Sequence, residues 1–445
     1  MFLLLLLFVL FSWSVQARAV VALAEGEVSR AVAEQLRFVA DEERTLDLAG
    51  VLALPAERWQ QNGDQVFSHG YTQANWWLRL EVGNPGARPA RQLLELAYPV
   101  LDDVEVWVLG ADQRPEAHYR LGDKQPFAQR PLQHRFFLVP LDLPSGSERT
   151  VILRLRSSSS MQAPLALWNE RAYFEQDQKF LMAEGLFFGG IGLLVVYSFF
   201  VFVALRERVY FYYVVFVFSL LAFLASLKGF SFQFLWPQAT DWNDRVLMVS
   251  LSTMLLSGGL FTYRFLGISA ASGWLYRMAA TLIMLMAGFL VLSFFMDYAS
   301  LMRPLIVVAA MGCLLLLVIG AWRWRQGDHA ARFYTTAWGA MLSGGVILAL
   351  NKFELLPQNF FTENAMQIGV AVEVVLLSFA IVDRINEDRR RQFQAQQEIL
   401  AGERRTREAQ YKALVAEREA NELLEQRVNE RTEALRTANL KLEQL

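Results

Sequence analysis

Between residues 18 and 178, apolar and polar side chains alternate with the two-residue period of half-buried strands. In Trp76-Trp77-Leu78-Arg79-Leu80-Glu81-Val82 the even positions are apolar and the odd ones mostly polar. Val104, Val106 and Val108 repeat the pattern, as do Val151, Leu153 and Leu155. Asn84-Pro85-Gly86 and Pro144-Ser145-Gly146 supply turn chemistry between the runs. Short strands separated by such turns predict an all-β sandwich or jelly roll. Residues 47 to 60 read as a short helix or a loop.

The pattern then changes character. Seven apolar stretches follow, at about 181–205, 209–230, 246–266, 278–297, 304–322, 333–353 and 365–383. Each is near the roughly 20 residues that a helix needs to cross hydrocarbon. Seven in succession predict a transmembrane domain over 179–384. From 385 to 445 the chain is highly charged. Phe393, Leu400, Leu414, Val428, Leu435 and Leu442 fall on one seven-residue register, interrupted by Arg407 and Asn421. Leu424, Ala438 and Leu445 supply the second seam position. This predicts a parallel two-stranded coiled coil, and hence a homodimer, with Asn421 fixing the register.

Residues 1–17 read as a signal peptide. Residues 2 to 11 are almost wholly apolar, too short a run to span a bilayer, and Val15-Gln16-Ala17 offers a small-residue cleavage site. No Lys or Arg precedes that run. With the domain of residues 18–178 placed outside, the inner segments carry Arg206, Arg208, Arg264, Arg277, Arg323, Arg325, Arg332, Arg384, Arg389, Arg390 and Arg391. The outer ones carry Arg171, Lys179, Lys228, Arg245, Arg303 and Lys352. Eleven against six obeys the positive-inside rule. A multi-pass protein of a bacterial inner membrane follows, with its N-terminal domain in the periplasm and its C-terminus in the cytoplasm.

Composition narrows the function. The chain is 54% hydrophobic and only 19% charged, against about 25% charged in soluble domains. The net charge of −2 argues against nucleic-acid binding. With the single Cys313, neither an internal disulfide nor a cysteine metal site can form. His69, His118, His134 and His329 do not pair at metal-ligand spacing. The sequence contains no GxSxG, HExxH, P-loop or paired CxxC, so no catalytic constellation is expected. Gly189-Gly190-Ile191-Gly192, Gly258-Gly259 and Gly344-Gly345 lie inside spans, where small residues let helices pack closely.

Glu373 stands near the middle of the seventh span, where a carboxylate is costly. It is expected to face the bundle interior with a hydrogen-bonding partner or a proton, as a signalling latch or a structural bond. Glu184, Lys228 and Lys352 lie near span ends and are expected to snorkel. Outside the membrane, alternation places Trp77 and Arg79 on one strand face, opposite Trp76 and Leu78. An aromatic ring beside a guanidinium suits a sugar or an anion, so Trp77, Arg79 and Arg130 are expected to share a ligand face. Glu95 is an alternative partner for Arg79. Asp102, Asp103 and Asp123 offer oxygens of the kind calcium takes, and Arg130, His134 and Arg135 form a basic cluster.

Several segments carry a resemblance. Gly70-Tyr71 to Asn84 with Trp76-Trp77-Leu78-Arg79, Leu94-Glu95-Leu96-Ala97-Tyr98-Pro99 followed by Leu101-Asp102-Asp103-Val104-Glu105, and Gly122-Asp123-Lys124-Gln125-Pro126 with Arg130 make up one group. It resembles the periplasmic domain of seven-transmembrane receptors with diverse intracellular signalling modules. Gly369 to Asn386, with Glu373, Leu376-Leu377-Ser378 and Asp383-Arg384-Ile385, looks like that family's last span. The resemblance implies a jelly-roll sensor related to carbohydrate-binding modules, with Arg79, Arg130 and Glu373 as family features. It also implies an output domain beyond residue 445, a diguanylate cyclase or a histidine kinase. Leu424 to Leu440 resembles the linker that precedes either output. A transporter or channel with an accessory binding domain is the competing reading. A light-driven or G-protein-type seven-helix protein is disfavoured, because no lysine stands mid-helix in the seventh span.

Overall fold

The computed structural model describes residues 20–24, 26–64, 66–268, 273–328, 330–352, 356 and 360–442. The expected signal peptide lies outside them. One compact unit runs to Val375 and a second begins at Leu376.

The first unit opens with twelve strands: β1 (Ser29–Ala31), β2 (Arg37–Asp41), β3 (Gln60–Gln61), β4 (Phe67–Tyr71), β5 (Asn75–Gly83), β6 (Ala90–Leu96), β7 (Asp103–Leu109), β8 (Pro115–Leu121), β9 (Phe137–Leu143), β10 (Glu148–Arg156), β11 (Ser160–Ala163) and β12 (Leu165–Asn169). They form a six-stranded sheet, β3-β2-β5-β10-β7-β8, a four-stranded sheet, β1-β12-β6-β9, and the pair β11-β4. Alternation sorts the side chains. Leu78 and Leu80 of β5, Val104 and Val106 of β7, and Val151 and Leu153 of β10 point into one core with Leu94 of β6, Val139 of β9 and Leu167 of β12. Two sheets sharing that core make a sandwich.

The opposite face of the six-stranded sheet is not left to water. Trp77, Trp107, Leu109 and Ile152 form a second cluster with Val51, closed by Leu46, Leu48, Leu52 and Trp59. The segment expected to be a helix or loop supplies this cover. It holds a short helix, Leu48–Leu52, whose first turn is capped by Asp47 accepting from the Gly50 amide at 2.7 Å.

Seven helices among the described residues occupy the expected spans: α1 (Glu170–Leu205), α2 (Arg208–Leu227), α3 (Thr240–Phe265), α4 (Trp274–Leu292), α5 (Tyr298–Arg325), α6 (Ala330–Lys352) and α7 (Ala365–Leu442). All but α6 are long and apolar enough to cross a membrane, as counted over those residues. The first begins eleven residues before the expected apolar stretch, straight out of β12, with the Asn169 side chain capping it through the Ala172 amide at 3.2 Å. Small residues seat helices at some expected positions. A Cβ on Gly258 would meet Phe216 at 3.3 Å, and one on Gly344 would collide with the Ala365 carbonyl. Gly189, Gly190 and Gly192 differ from expectation, since nothing lies within 4 Å of the Cβ each would carry.

The second unit is the remainder of α7. Leu400, Leu414, Val428 and Leu435 of the expected seam are exposed on it, as is Asn421.

Candidate functional site

The expected ligand face does not form. Trp77 is fully buried, its ring stacked on Trp107 at 5.5 Å between centroids and 19° between planes. Its face of β5 looked solvated because Arg79 and Glu81 follow it at the same period. Residues 46–59, distant in sequence, cover the tryptophan, and no sugar can reach it. Arg79 pairs with Glu81 at 2.8 Å and lies 6.0 Å from the Trp59 ring, so Glu95 is not its partner.

Arg130 is elsewhere, and it too is buried. Its Nη1 donates to the carbonyls of His134 and Arg135 at 2.7 and 2.8 Å. The guanidinium stands 4.4 Å from the Phe127 ring, 4.6 Å from Phe137 and 5.6 Å from Phe232, the last from the short helix Phe230–Phe234 between α2 and α3. Burial pushes the guanidinium pKa down to about 10, so it stays charged at neutral pH. Arg130 thus fixes the loop by which the sandwich meets the helices. Arg135 extends that contact, pairing with Asp177 of α1 at 2.9 Å and lying 5.1 Å from the Phe230 ring. His134 reaches the same Asp177 carboxylate at 3.2 Å.

The acidic residues are partly brought together. Asp102 and Asp123 meet Asp244 of α3, a carboxylate oxygen from each lying within 4.8 Å of the others. Asp103 is not in that group and faces the Gln125 amide at 3.5 Å. Gly122 makes the close turn possible: its φ is +130°, and a Cβ there would strike the Asp102 carbonyl. Asp102 accepts from the Ser158 amide at 2.9 Å and its hydroxyl at 3.2 Å. Lys124 sets its ammonium 2.6 Å from Asp244 and 3.9 Å from Asp123. Burial pushes the Asp123 carboxyl well above the usual carboxylate range, while Lys124 pulls the other way. Asn243 donates from its side-chain amide to the Asp123 carbonyl at 3.0 Å, and the Phe127 amide donates to the Pro237 carbonyl at 3.0 Å. Of the three aspartates expected together, Asp102 and Asp123 are brought close and Asp103 is not; Asp244 and the role of Lys124 were not foreseen. The only sequence signal was a polar run, Asp241 to Asp244, at the outer end of a span.

Inside the helices, Glu373 is fully buried, as expected, but neither carboxylate oxygen has a hydrogen-bond partner among the described residues. The next residue's carbonyl, on Val374, accepts from the Tyr213 hydroxyl at 2.9 Å. Glu184 and Lys228 pair with each other instead of snorkelling, and Gln367 donates to Glu184 at 3.0 Å.

Residues 33–169 match the family described as 7TMR-DISM extracellular 2, and residues 180–384 match that described as 7TM diverse intracellular signalling. The chain belongs to the seven-transmembrane receptors with diverse intracellular signalling modules. The receptor is accordingly a multi-pass transmembrane signalling protein with an extracellular N-terminal domain. No curated protein matches it. One solved structure similar to it is an isomalto-dextranse of Arthrobacter globiformis T6 complexed with panose. The two are 10% identical, the match covers 23% of this chain and 17% of that one, and the TM-score is 0.15. That score is too low to bear on the receptor's fold or ligand.

Proposed function

We propose that the receptor senses a small ligand in the periplasm and passes the signal through its helices and a cytoplasmic dimeric coiled coil to an output domain, a diguanylate cyclase or a histidine kinase. The observation that carries this reading is the bonding between sandwich and helices. Lys124 pairs with Asp244 and Asn243 bonds the Asp123 backbone, while β12 runs into α1 without a linker. A change of shape in the sandwich therefore acts on α1 and α3. Pairing of α7 with a second copy would cover the exposed Leu400, Leu414, Val428 and Leu435.

Of the two ligand classes expected, a carbohydrate loses Trp77 as its platform. A metal ion such as calcium keeps Asp102 and Asp123 and gains Asp244. Calcium takes six to eight oxygens, so waters would complete the shell and Lys124 would have to move aside. Glu373 fits a transmitting role because a fully buried carboxyl with no hydrogen-bond partner among the described residues is costly to keep between helices, so a change in helix packing acts on it directly.

The test fuses residues 1–445 in frame to a diguanylate cyclase domain and reads cyclic di-GMP in cells. Lys124→Glu should shift the basal output several-fold, and Asp244→Lys in the same chain should restore it. Pairs in direct contact couple by about 0.5–3 kcal/mol, which sets the size of the rescue. Unchanged output with Lys124→Glu alone would remove the junction from the signalling path.

A further inference from the structure

We propose that a second cavity at the sandwich–helix junction binds an organic cation, an ammonium group on an apolar body, with Glu95 as its counter-ion. The cavity has a volume of about 460 Å³ and is lined by Glu95, Arg135, Phe136, Trp168, Tyr173 and Asp177, among others. That volume is within the range of small-molecule sites, roughly 300–1,000 Å³.

The charges on its wall do not balance. Glu95, Asp177 and Glu184 are acidic, and Arg135 and Lys228 are basic. Asp177 is paired with Arg135 at 2.9 Å, and Glu184 is paired with Lys228. With those two pairs set aside, Glu95 is the carboxylate of the wall that has no ion-pair partner among the described residues; burial pushes its carboxyl above the usual range, and the more distant Arg135 pulls the other way. The Glu95 side chain is buried, and among the described residues it takes hydrogen bonds only from neutral donors, the Trp168 indole at 2.8 Å and the Tyr173 hydroxyl at 3.0 Å. No Lys, Arg or His nitrogen comes within ion-pair distance of it among the described residues. A buried carboxylate without a cation is costly, and one facing a cavity is the group a ligand cation would neutralise. The two donors hold the carboxylate in place, one on each oxygen, and each oxygen keeps further acceptor capacity.

The rest of the wall suits the same ligand. Phe136, Trp168, Tyr173 and Phe180 line the cavity. Aromatic faces attract ammonium groups and bury the carbon skeleton attached to them. The position also matters. Glu95 is on β6 and Trp168 on β12, whereas Tyr173, Asp177, Phe180 and Glu184 are on α1 and Lys228 caps α2. A ligand here would touch the strand, the helix it becomes and the next helix together. The site stands apart from the aspartates and does not depend on the output proposed above, because occupancy is measured by binding alone.

The experiment is isothermal titration calorimetry on the full chain in detergent micelles, with phenethylamine as probe. Its trimethylammonium analogue, 2-phenylethanol and 3-phenylpropanoate complete the series. Phenethylamine should bind saturably at one site, and the alcohol and the carboxylate about tenfold more weakly or less, the ratio that one lost charge contact gives. Glu95→Gln keeps an acceptor for Trp168 and should lose affinity about tenfold without any fall in melting temperature. Ala97→Leu, which fills the cavity from a lining position, should abolish binding with the carboxylate intact, and it decides the matter if the glutamine variant does not fold. Full-affinity binding by either folded variant, equal binding of alcohol and amine, or no saturable binding of either cation would overturn the proposal.

Discussion

Replacing Trp77 with alanine separates the outcome expected from alternation from the one the fold produces. On an exposed strand face the change would cost under about 0.5 kcal/mol. In the structure the side chain is fully buried, stacked on Trp107 and packed with Val51, Leu109 and Ile152. Truncating a tryptophan in such a place costs about 3–5 kcal/mol, from lost transfer free energy and the cavity left behind. The indole N–H has no hydrogen-bond partner among the described residues, so removing it also removes a desolvation penalty and draws the cost toward the lower figure. For a domain of this size, 1 kcal/mol moves the melting temperature by roughly 2–4 °C, so the expected fall is about 6–20 °C. The assay is thermal unfolding of the full chain in detergent, followed by susceptibility of the sandwich to protease. Arg79→Ala, two residues along on the same face, is the control. Its partner Glu81 is partly exposed, so the pair contributes about 0–1 kcal/mol and the shift should be a few degrees at most. A fall of less than about 2 °C for Trp77→Ala would show that residues 46–59 do not cover that face and would refute the reasoning.

Asp123→Asn should stabilise the receptor at pH 8, with a benefit that shrinks as the pH is lowered. The sign follows from the raised folded-state pKa: above it the native state holds a buried charge, and the native protein regains stability as the pH falls toward about 3.9, the unfolded value. Melting temperatures of the two proteins from pH 8 down to pH 5 check this, and a difference that grows toward acid would contradict it. In the C-terminal part of α7, a cysteine at Val428 should cross-link between two copies far better than one at Glu430, since only the former lies on the seven-residue seam; equal yields would remove the register.

Much of the architecture is a local property and was readable. Period two at Val104, Val106 and Val108 and at Val151, Leu153 and Leu155 names a strand face, and the structure buries each of these residues in the sandwich core. Apolar runs near 20 residues name membrane helices because no other open structure satisfies the backbone in hydrocarbon. Glu373 was legible for the same reason, as the one carboxylate deep in such a run.

The binding residues were less readable, because accessibility is decided by what packs from far away in the chain. Trp77 and Arg79 share a face with the same period, yet one is sealed under residues 46–59 and the other stays partly exposed, paired with Glu81. Arg130 looked like a free cation in a basic cluster, but three rings and two carbonyls enclose it. Sequence alone determined which segments are apolar and near membrane-spanning length, where strand faces alternate and where the acidic and basic groups lie. Only the tertiary structure decided that Asp102 and Asp123 meet Asp244, 121 residues after Asp123, and that Glu95 faces a cavity with no ion-pair partner among the described residues. Charge pairing acts over a few ångströms of space whatever the separation along the chain, so no periodicity in the sequence can record it.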